Sequence, residues 1–107
     1  IDMRAWVAGE RPEMRGPLYL SIDLDGLDPA FVPGVSHREP GGLTVREVVS
    51  IVQSLPGPII GADVVELNPL QDASGASASV AAKLVREVAS RMLASAVSPP
   101  VARASQG

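Results

Sequence analysis

The fold is decided by residues 19–29, which read Tyr-Leu-Ser-Ile-Asp-Leu-Asp-Gly-Leu-Asp-Pro. Its apolar start predicts a β-strand over residues 18–23, and the Gly and Pro that follow predict the end of that strand. Residues two apart share a face of a strand, so Asp23 and Asp25 should lie side by side. Two ionised carboxylates at this spacing repel each other unless a cation lies between them. The stretch therefore indicates a metal site, although turn formation at a strand end also explains it.

Composition sets the outer limits on the class of protein. A chain of 107 residues with 46% hydrophobic content is enough for one small domain with a core. The formal charge of −3 leaves no basic surface for nucleic acid, and no apolar run approaches the roughly 20 residues that span a bilayer. We therefore expect a soluble protein. Its compartment stays open, with the cytoplasm and the mitochondrial matrix as the two possibilities. Because the chain has no cysteine, carboxylates, His or water must hold any metal.

A helix and a second strand follow a long loop over residues 26–42. Thr44-Val-Arg-Glu47 has the pattern of a capping box and predicts the start of the helix. Pro56-Gly-Pro58 predicts its end, and the Val-rich residues 59–65 predict the strand. The apolar face of this helix consists of four valines, Val45, Val48, Val49 and Val52.

A last helix is predicted after a polar loop over residues 68–79. Its apolar stripe consists of Val80, Leu84, Val85, Val88 and Met92, with Lys83, Arg86, Glu87 and Arg91 outside the stripe. We divide the chain into a lead-in helix and loop (1–17), a βαβα core (18–95) and a mobile tail (96–107).

The βαβ order brings three acids together. A right-handed crossover makes the two strands parallel, so that their carboxyl ends open at the same edge of the sheet. Asp23 and Asp25 leave the first strand at that edge, and Glu66 leaves the second. This arrangement predicts a site for a metal ion or a cationic substrate.

Three ordered blocks resemble the C-terminal part of the ureohydrolases, the arginase and agmatinase family. They are residues 21–34 (Ser-Ile-Asp-Leu-Asp-Gly-Leu-Asp-Pro-Ala-Phe-Val-Pro-Gly), 39–44 (Glu-Pro-Gly-Gly-Leu-Thr) and 61–69 (Gly-Ala-Asp-Val-Val-Glu-Leu-Asn-Pro). Residues 34–40 and 80–87 are most similar to plant-type arginases. The resemblance covers about residues 18–93. It implies a three-layer α/β fold, with a mostly parallel sheet between helices, of which this chain is the C-terminal part.

The resemblance also implies a binuclear manganese site that hydrolyses the guanidinium of arginine to urea and ornithine. Asp23 matches the carboxylate that bridges the two Mn²⁺ ions, and Asp25 matches a second ligand of one ion. Both would act in catalysis through water whose pKa the two cations lower. Glu66 matches the acid that pairs with the guanidinium of the substrate. His37 falls where animal arginases carry a Thr, and we interpret it as a second substrate-binding residue, with a solvated loop His as the alternative.

The neighbouring residues have structural interpretations. Asp63 shares the strand end with Glu66, and we expect it to shape the loop by hydrogen bonding, with a role in the site as the alternative. We expect Asp28 to form a turn and Asn68 to brace the loop around Glu66. Three glycines are interpreted as turn residues: Gly34, Gly41 and Gly42.

The family's remaining metal ligands, an early His and an Asp-x-His-x-Asp run, are not in this sequence. We therefore expect a C-terminal fragment that is inactive alone, from an enzyme that assembles as trimers or hexamers. Three other functions stay open: hydrolysis of agmatine, a non-catalytic oligomerisation or regulatory module, and a dehalogenase-like phosphatase. For the phosphatase, Asp23-Leu-Asp-Gly26 would supply the acids, but Leu27 stands where that class expects Thr.

Overall fold

The computed structural model describes residue 5 and residues 8–97 of the chain. It contains strand β1 (Leu18–Asp23), helix α1 (Val45–Ser54), strand β2 (Ile59–Val65) and helix α2 (Ala76–Val97). The predicted α/β class is therefore confirmed. Residues 8–17 contain no helix or strand. Of residues 1–7 the structure describes only Ala5, which is helical. Helix α2 includes residues 96 and 97 of the predicted tail, and the tail from residue 98 lies outside the described residues.

The two strands are parallel and in a defined register. Tyr19 pairs with Gly61, and the ladder continues to Asp23, which pairs with Val65. One irregularity near the start of β1 leaves Ile60 as an extra residue in β2. Because side chains alternate across each strand, one face of the sheet is apolar and the other is polar.

The core lies on the apolar face of the sheet. Both described helices pack there, and three valines of α1 and two residues of α2 are buried with Ile22: Val48, Val49, Val52, Leu84 and Val88. The apolar stripe predicted for α1 is thus confirmed. Val85 of α2 was predicted in the stripe but is 53% exposed, because it faces the open edge of β2.

Helix α1 is capped at both ends. The predicted capping box is confirmed: the Glu47 amide donates to Thr44 Oγ1 at 3.0 Å, and the Thr44 amide donates to Glu47 Oε1 at 2.8 Å. The carboxyl end of α1 is capped by Arg91 of α2. Its guanidinium donates to the carbonyls of Val52 (3.2 Å) and Leu55 (2.6 Å). Arg91 therefore joins the two helices, a role that its position outside the apolar stripe did not predict.

Helix α2 begins at Ala76, inside the predicted loop over residues 68–79, so that boundary was wrong. The Asp72 carboxylate accepts hydrogen bonds from the amides of Ser77 and Ala78, both at 2.9 Å. These backbone donors hold the pKa of Asp72 below its ordinary value. The helix starts early because its first amides are satisfied by an acid several residues upstream, while its apolar stripe begins only a turn later.

Both edges of the two-stranded sheet are open in the described part of the chain. An apolar cleft of about 190 Å³ runs along β2 beside α2, and one of about 180 Å³ lies along β1 beside α1. No helix among the described residues combines the length and the apolar character needed to cross a bilayer.

Candidate metal and substrate site

Asp23 and Asp25 lie together at the carboxyl end of β1. Asp23 is the last residue of the strand, and its Oδ1 accepts a hydrogen bond from the Asp25 amide at 2.9 Å. This bond caps a short 3-10 turn, Leu24–Gly26, which is anchored by the fully buried Leu24. The turn forms because the Asp23 side chain bonds to the backbone two residues on, while Leu24 between the two acids is buried. Both carboxylates therefore remain at the end of the strand.

Asp25 has a carboxylate oxygen that lacks a partner. Its Oδ1 is buried and has no hydrogen bond in the structure. Leaving a buried acceptor unpaired is costly, so such an atom requires an explanation, and a bound cation would provide one. The other oxygen, Oδ2, lies 3.9 Å from Nδ1 of His37, and the His37 side chain is 86% exposed. The carboxylate oxygens are hard donors, which suit hard divalent cations such as Mg²⁺, Ca²⁺ and Mn²⁺.

The described residues offer only part of a metal site. Among them, no group of three or more His, Asp or Glu side chains is placed to hold a metal ion. Asp25 lies beside both Asp23 and His37, whereas Asp28 is used elsewhere. Its carboxylate accepts from the amides of Ala30 (2.9 Å) and Gly41 (3.0 Å), which lower its pKa and confirm the predicted turn role.

Glu66 stands at the same edge of the sheet, directly after β2. Asp23 pairs with Val65, so Glu66 is one residue beyond the partner of the first candidate ligand. Its φ is +74°, the left-handed region that non-glycine residues rarely adopt. Strained backbone of this kind persists only where surrounding contacts maintain it, and it is concentrated at functional sites. The strained turn presents an exposed carboxylate at the end of the strand.

The loop that carries His37 is fastened to the loop that follows Glu66. The Asn68 amide donates to the Gly34 carbonyl at 2.7 Å, and Asn68 Nδ2 donates to Ser36 Oγ at 2.9 Å. The predicted bracing role of Asn68 is thus confirmed. His37 directly follows Ser36 in the sequence.

On the other side of His37, Arg38 makes a second link between the loops. Its Nη2 donates to the carbonyl and Oε1 of Gln71 at 3.2 and 3.1 Å, and its Nε donates to the Pro33 carbonyl at 2.8 Å. The backbone of His37 is therefore held from both sides against the segment that presents Glu66.

Two of the three predicted turn glycines also allow close packing. Gly41 has a φ of +94°, which confirms its turn role. Gly34 is the central residue of a three-residue turn, closed by the Val35 amide donating to the Pro33 carbonyl at 2.9 Å, so its turn role is confirmed as well. A Cβ on Gly34 would lie 2.7 Å from Ser77 Cβ, and one on Gly42 would lie 2.7 Å from the Leu27 backbone carbon. The loop can approach α2 this closely only because Gly34 has no side chain.

Asp63 is hydrogen bonded, as predicted, but its partners lie on the neighbouring strand and not in a loop. Its Oδ2 accepts from the Tyr19 hydroxyl at 2.9 Å, and its Oδ1 accepts from Ser21 Oγ at 2.5 Å. The bond to Asp63 raises the pKa of the Tyr19 hydroxyl. Strand alternation could have revealed the contact, because Tyr19 and Ser21 share the face of β1 that Asp63 occupies on β2.

Comparison with known proteins supports one family. The sequence profile of the Arginase family matches residues 3–90. The mitochondrial arginase of Medicago truncatula is 58% identical over 76 residues, which is 70% of this chain and 22% of that relative. The mitochondrial agmatinase of Gallus gallus is 43% identical over 74 residues, covering 68% of this chain and 22% of that relative.

The structure is also similar to solved members of the family. The arginase from Medicago truncatula aligns with a TM-score of 0.68 at 59% sequence identity, covering 69% of this chain and 24% of that chain. This chain spans 22% of the length of the two relatives named above. Since the family profile matches well over half of its residues, the chain belongs to the arginase family.

Proposed function

We propose that these residues act as the C-terminal part of a manganese-dependent ureohydrolase that cleaves the guanidinium of arginine to urea and ornithine. The observation that carries the proposal is the strained Glu66 turn, placed one residue beyond the partner of Asp23 at the shared strand edge. It sets an acid suited to a cationic substrate beside two acids suited to a metal.

Asp23 and Asp25 would hold manganese. The buried, unpartnered Oδ1 of Asp25 supports this role, because a cation would satisfy it. When bound, Mn²⁺ supplies the activation of water at neutral pH. The protein's own part is to fix the two carboxylates, which the cap from Asp23 to the Asp25 amide and the buried Leu24 achieve.

Glu66 would hold the substrate. A carboxylate can accept two parallel hydrogen bonds from the planar guanidinium, which fixes both the position and the orientation of the reacting carbon. His37 would make a second contact with the substrate. Its neighbours Ser36 and Arg38 hold its loop in place by hydrogen bonds to Asn68 and Gln71. Its 3.9 Å separation from Asp25 supports a place next to the metal end of the site.

The open sheet supports the proposal that these residues complete a larger single domain. A two-stranded sheet is marginal alone, and parallel sheets are normally covered on both faces. Here both edges are open beside apolar clefts, and the polar face of the sheet is not covered by the described helices.

We further propose a soluble homo-oligomer, a trimer or hexamer, in the cytoplasm or mitochondrial matrix. The mitochondrial relative from Medicago truncatula supports the latter.

Agmatine is the second candidate substrate, because it presents the same guanidinium to Glu66. The identity to an agmatinase supports it, but the higher identity to an arginase favours arginine. Arginine carries an α-carboxylate that agmatine lacks, and none of the contacts described above recognises that group.

The proposal is tested by Glu66→Gln in the complete enzyme, meaning the whole polypeptide in which these residues stand. Each charge-assisted bond contributes about 1.5–3 kcal/mol, so urea release should fall by roughly 10-fold to 100-fold or more. Manganese content should stay at the wild-type value, because Glu66 is assigned to substrate. Glu13→Gln, at an exposed acid before β1, is the matched control and should leave both quantities unchanged.

Wild-type turnover in the Glu66 variant would contradict the assignment. Loss of manganese in proportion to activity would instead make Glu66 a metal ligand. A complete protein that binds manganese but releases no urea would favour the non-catalytic module.

A further inference from the structure

Asp63 links the two strands through side chains on the polar face of the sheet. Each of its carboxylate oxygens accepts one hydroxyl, Tyr19 at 2.9 Å and Ser21 at 2.5 Å. Ser21 and Asp63 are paired in register, so the shorter bond crosses directly from strand to strand. One acid therefore holds two successive outward-facing residues of β1.

This link lies just before the candidate site on both strands. Ser21 precedes Asp23 by two residues on the same face, and Asp63 precedes Glu66 by three residues. Only two further residue pairs, ending at Asp23 and Val65, separate the link from the strand ends. Asp63 thus joins the strand that ends in the proposed metal ligands to the strand that ends in the proposed substrate-holding acid.

The fold alone does not require an acid at this position. Strands of parallel sheets are usually apolar on both faces, because helices cover both. Tyr19, Ser21 and Asp63 depart from that pattern together, and the Ser21–Asp63 pair lies two pairs from the site end of the ladder. Departures of this kind are expected where a functional geometry must be held.

We propose that Asp63 is a positioning residue of the enzyme. Through Tyr19 and Ser21 it sets the spacing between the Asp23–Asp25 pair and Glu66, and so places the guanidinium carbon relative to the metal. This inference rests on the proposed function. The reaction is sensitive to such spacing, because a misplacement of about 1 Å can cost on the order of 100-fold in rate.

Two substitutions at Asp63 in the complete enzyme separate positioning from other roles. Asp63→Ala removes both bonds, and kcat should fall by roughly 10-fold to 100-fold. KM should change by less than about threefold, because Glu66 itself is intact. Asp63→Asn can still accept from one hydroxyl and donate to the other, so its kcat should stay within about threefold of wild type. Manganese content should be unchanged in both, and Glu13→Ala is the control.

Hydrogen exchange supplies a readout that does not depend on turnover. In Asp63→Ala, the amides of residues 21–23 and 64–66 should exchange faster, and in Asp63→Asn they should not. A wild-type protein that releases no urea would overturn the proposed function, while the exchange rates would still show whether Asp63 holds the two strands together.

Three results would overturn the inference. The first is wild-type kcat and exchange in Asp63→Ala. The second is an Asn variant as impaired as the Ala variant, which would indicate that the charge acts directly. The third is a fall in kcat that is fully accounted for by lost manganese.

Discussion

The substitution Gly34→Ala adds only one methyl group, but it should destabilise the protein more than so small a change suggests. The new Cβ would lie 2.7 Å from Ser77 Cβ and 2.8 Å from Asp72 Cβ, where ordinary contact begins at 3.4 Å. The loop must therefore retreat from α2 by roughly 0.7 Å. That shift stretches the 2.7 Å bond from the Gly34 amide to the fully buried Ser77 Oγ beyond normal hydrogen-bond length.

Two costs then add. Overpacking of a tight contact costs about 1–3 kcal/mol, and a buried amide left without its partner costs about 1–3 kcal/mol more. At about 2–4 °C per kcal/mol for a larger domain, the thermal midpoint of the complete enzyme should fall by at least about 4 °C. Because the Gly34 carbonyl also accepts the Asn68 amide, urea release should fall with it.

Differential scanning calorimetry and a urea assay measure both effects. The matched control is Gly26→Ala, whose Cβ would meet no atom within 4 Å and whose φ is not positive. Its thermal midpoint should shift by no more than about 2 °C. A Gly34 variant as stable as the Gly26 variant would refute the close-approach reasoning.

Three further predictions follow from individual contacts. Arg91→Ala should lower the free energy of unfolding by about 2–3 kcal/mol in urea titrations, because charge-assisted bonds to the end of α1 are lost, while Arg86→Ala should not. Since the pKa of Asp72 is lowered by folding, its contribution to stability is present above pH about 3.9 and is lost as pH falls through the lower folded value. Unfolding measured from pH 6 to 2 should therefore be less pH-dependent in Asp72→Asn; an unchanged profile would contradict this. Asp23→Ala and Asp25→Ala should each sharply reduce manganese retained after dialysis, and unchanged metal content in both would refute their assignment.

The sequence predicted those elements whose signals are local. The capping box at Thr44 and Glu47, the valine stripe of α1 and the alternation in β1 each depend on neighbours within a few residues, and each lies where expected. The parallel pairing also followed, because the crossover rule leaves little choice of topology.

Contacts between distant segments could not be predicted from neighbouring residues in this way. Arg91 satisfies carbonyls of α1 across 36 to 39 residues. For Asp63, alternation indicates the face that it shares with Tyr19 and Ser21, but not the register that brings it to hydroxyls more than 40 residues earlier. The role of Gly34 depends on how closely a loop approaches α2, which spacing along the chain does not reveal. The strained φ of Glu66 was equally invisible, since nothing in the sequence marks a glutamate as left-handed.

The central claim is that this site hydrolyses a guanidinium. Its most direct test is urea release from arginine by the manganese-loaded complete enzyme, with agmatine assayed in parallel and ornithine identified as the second product. The account predicts urea and ornithine from arginine in equal amounts, with slower release of urea from agmatine. Absence of urea from both substrates, in a preparation shown by metal analysis to contain manganese, would contradict it.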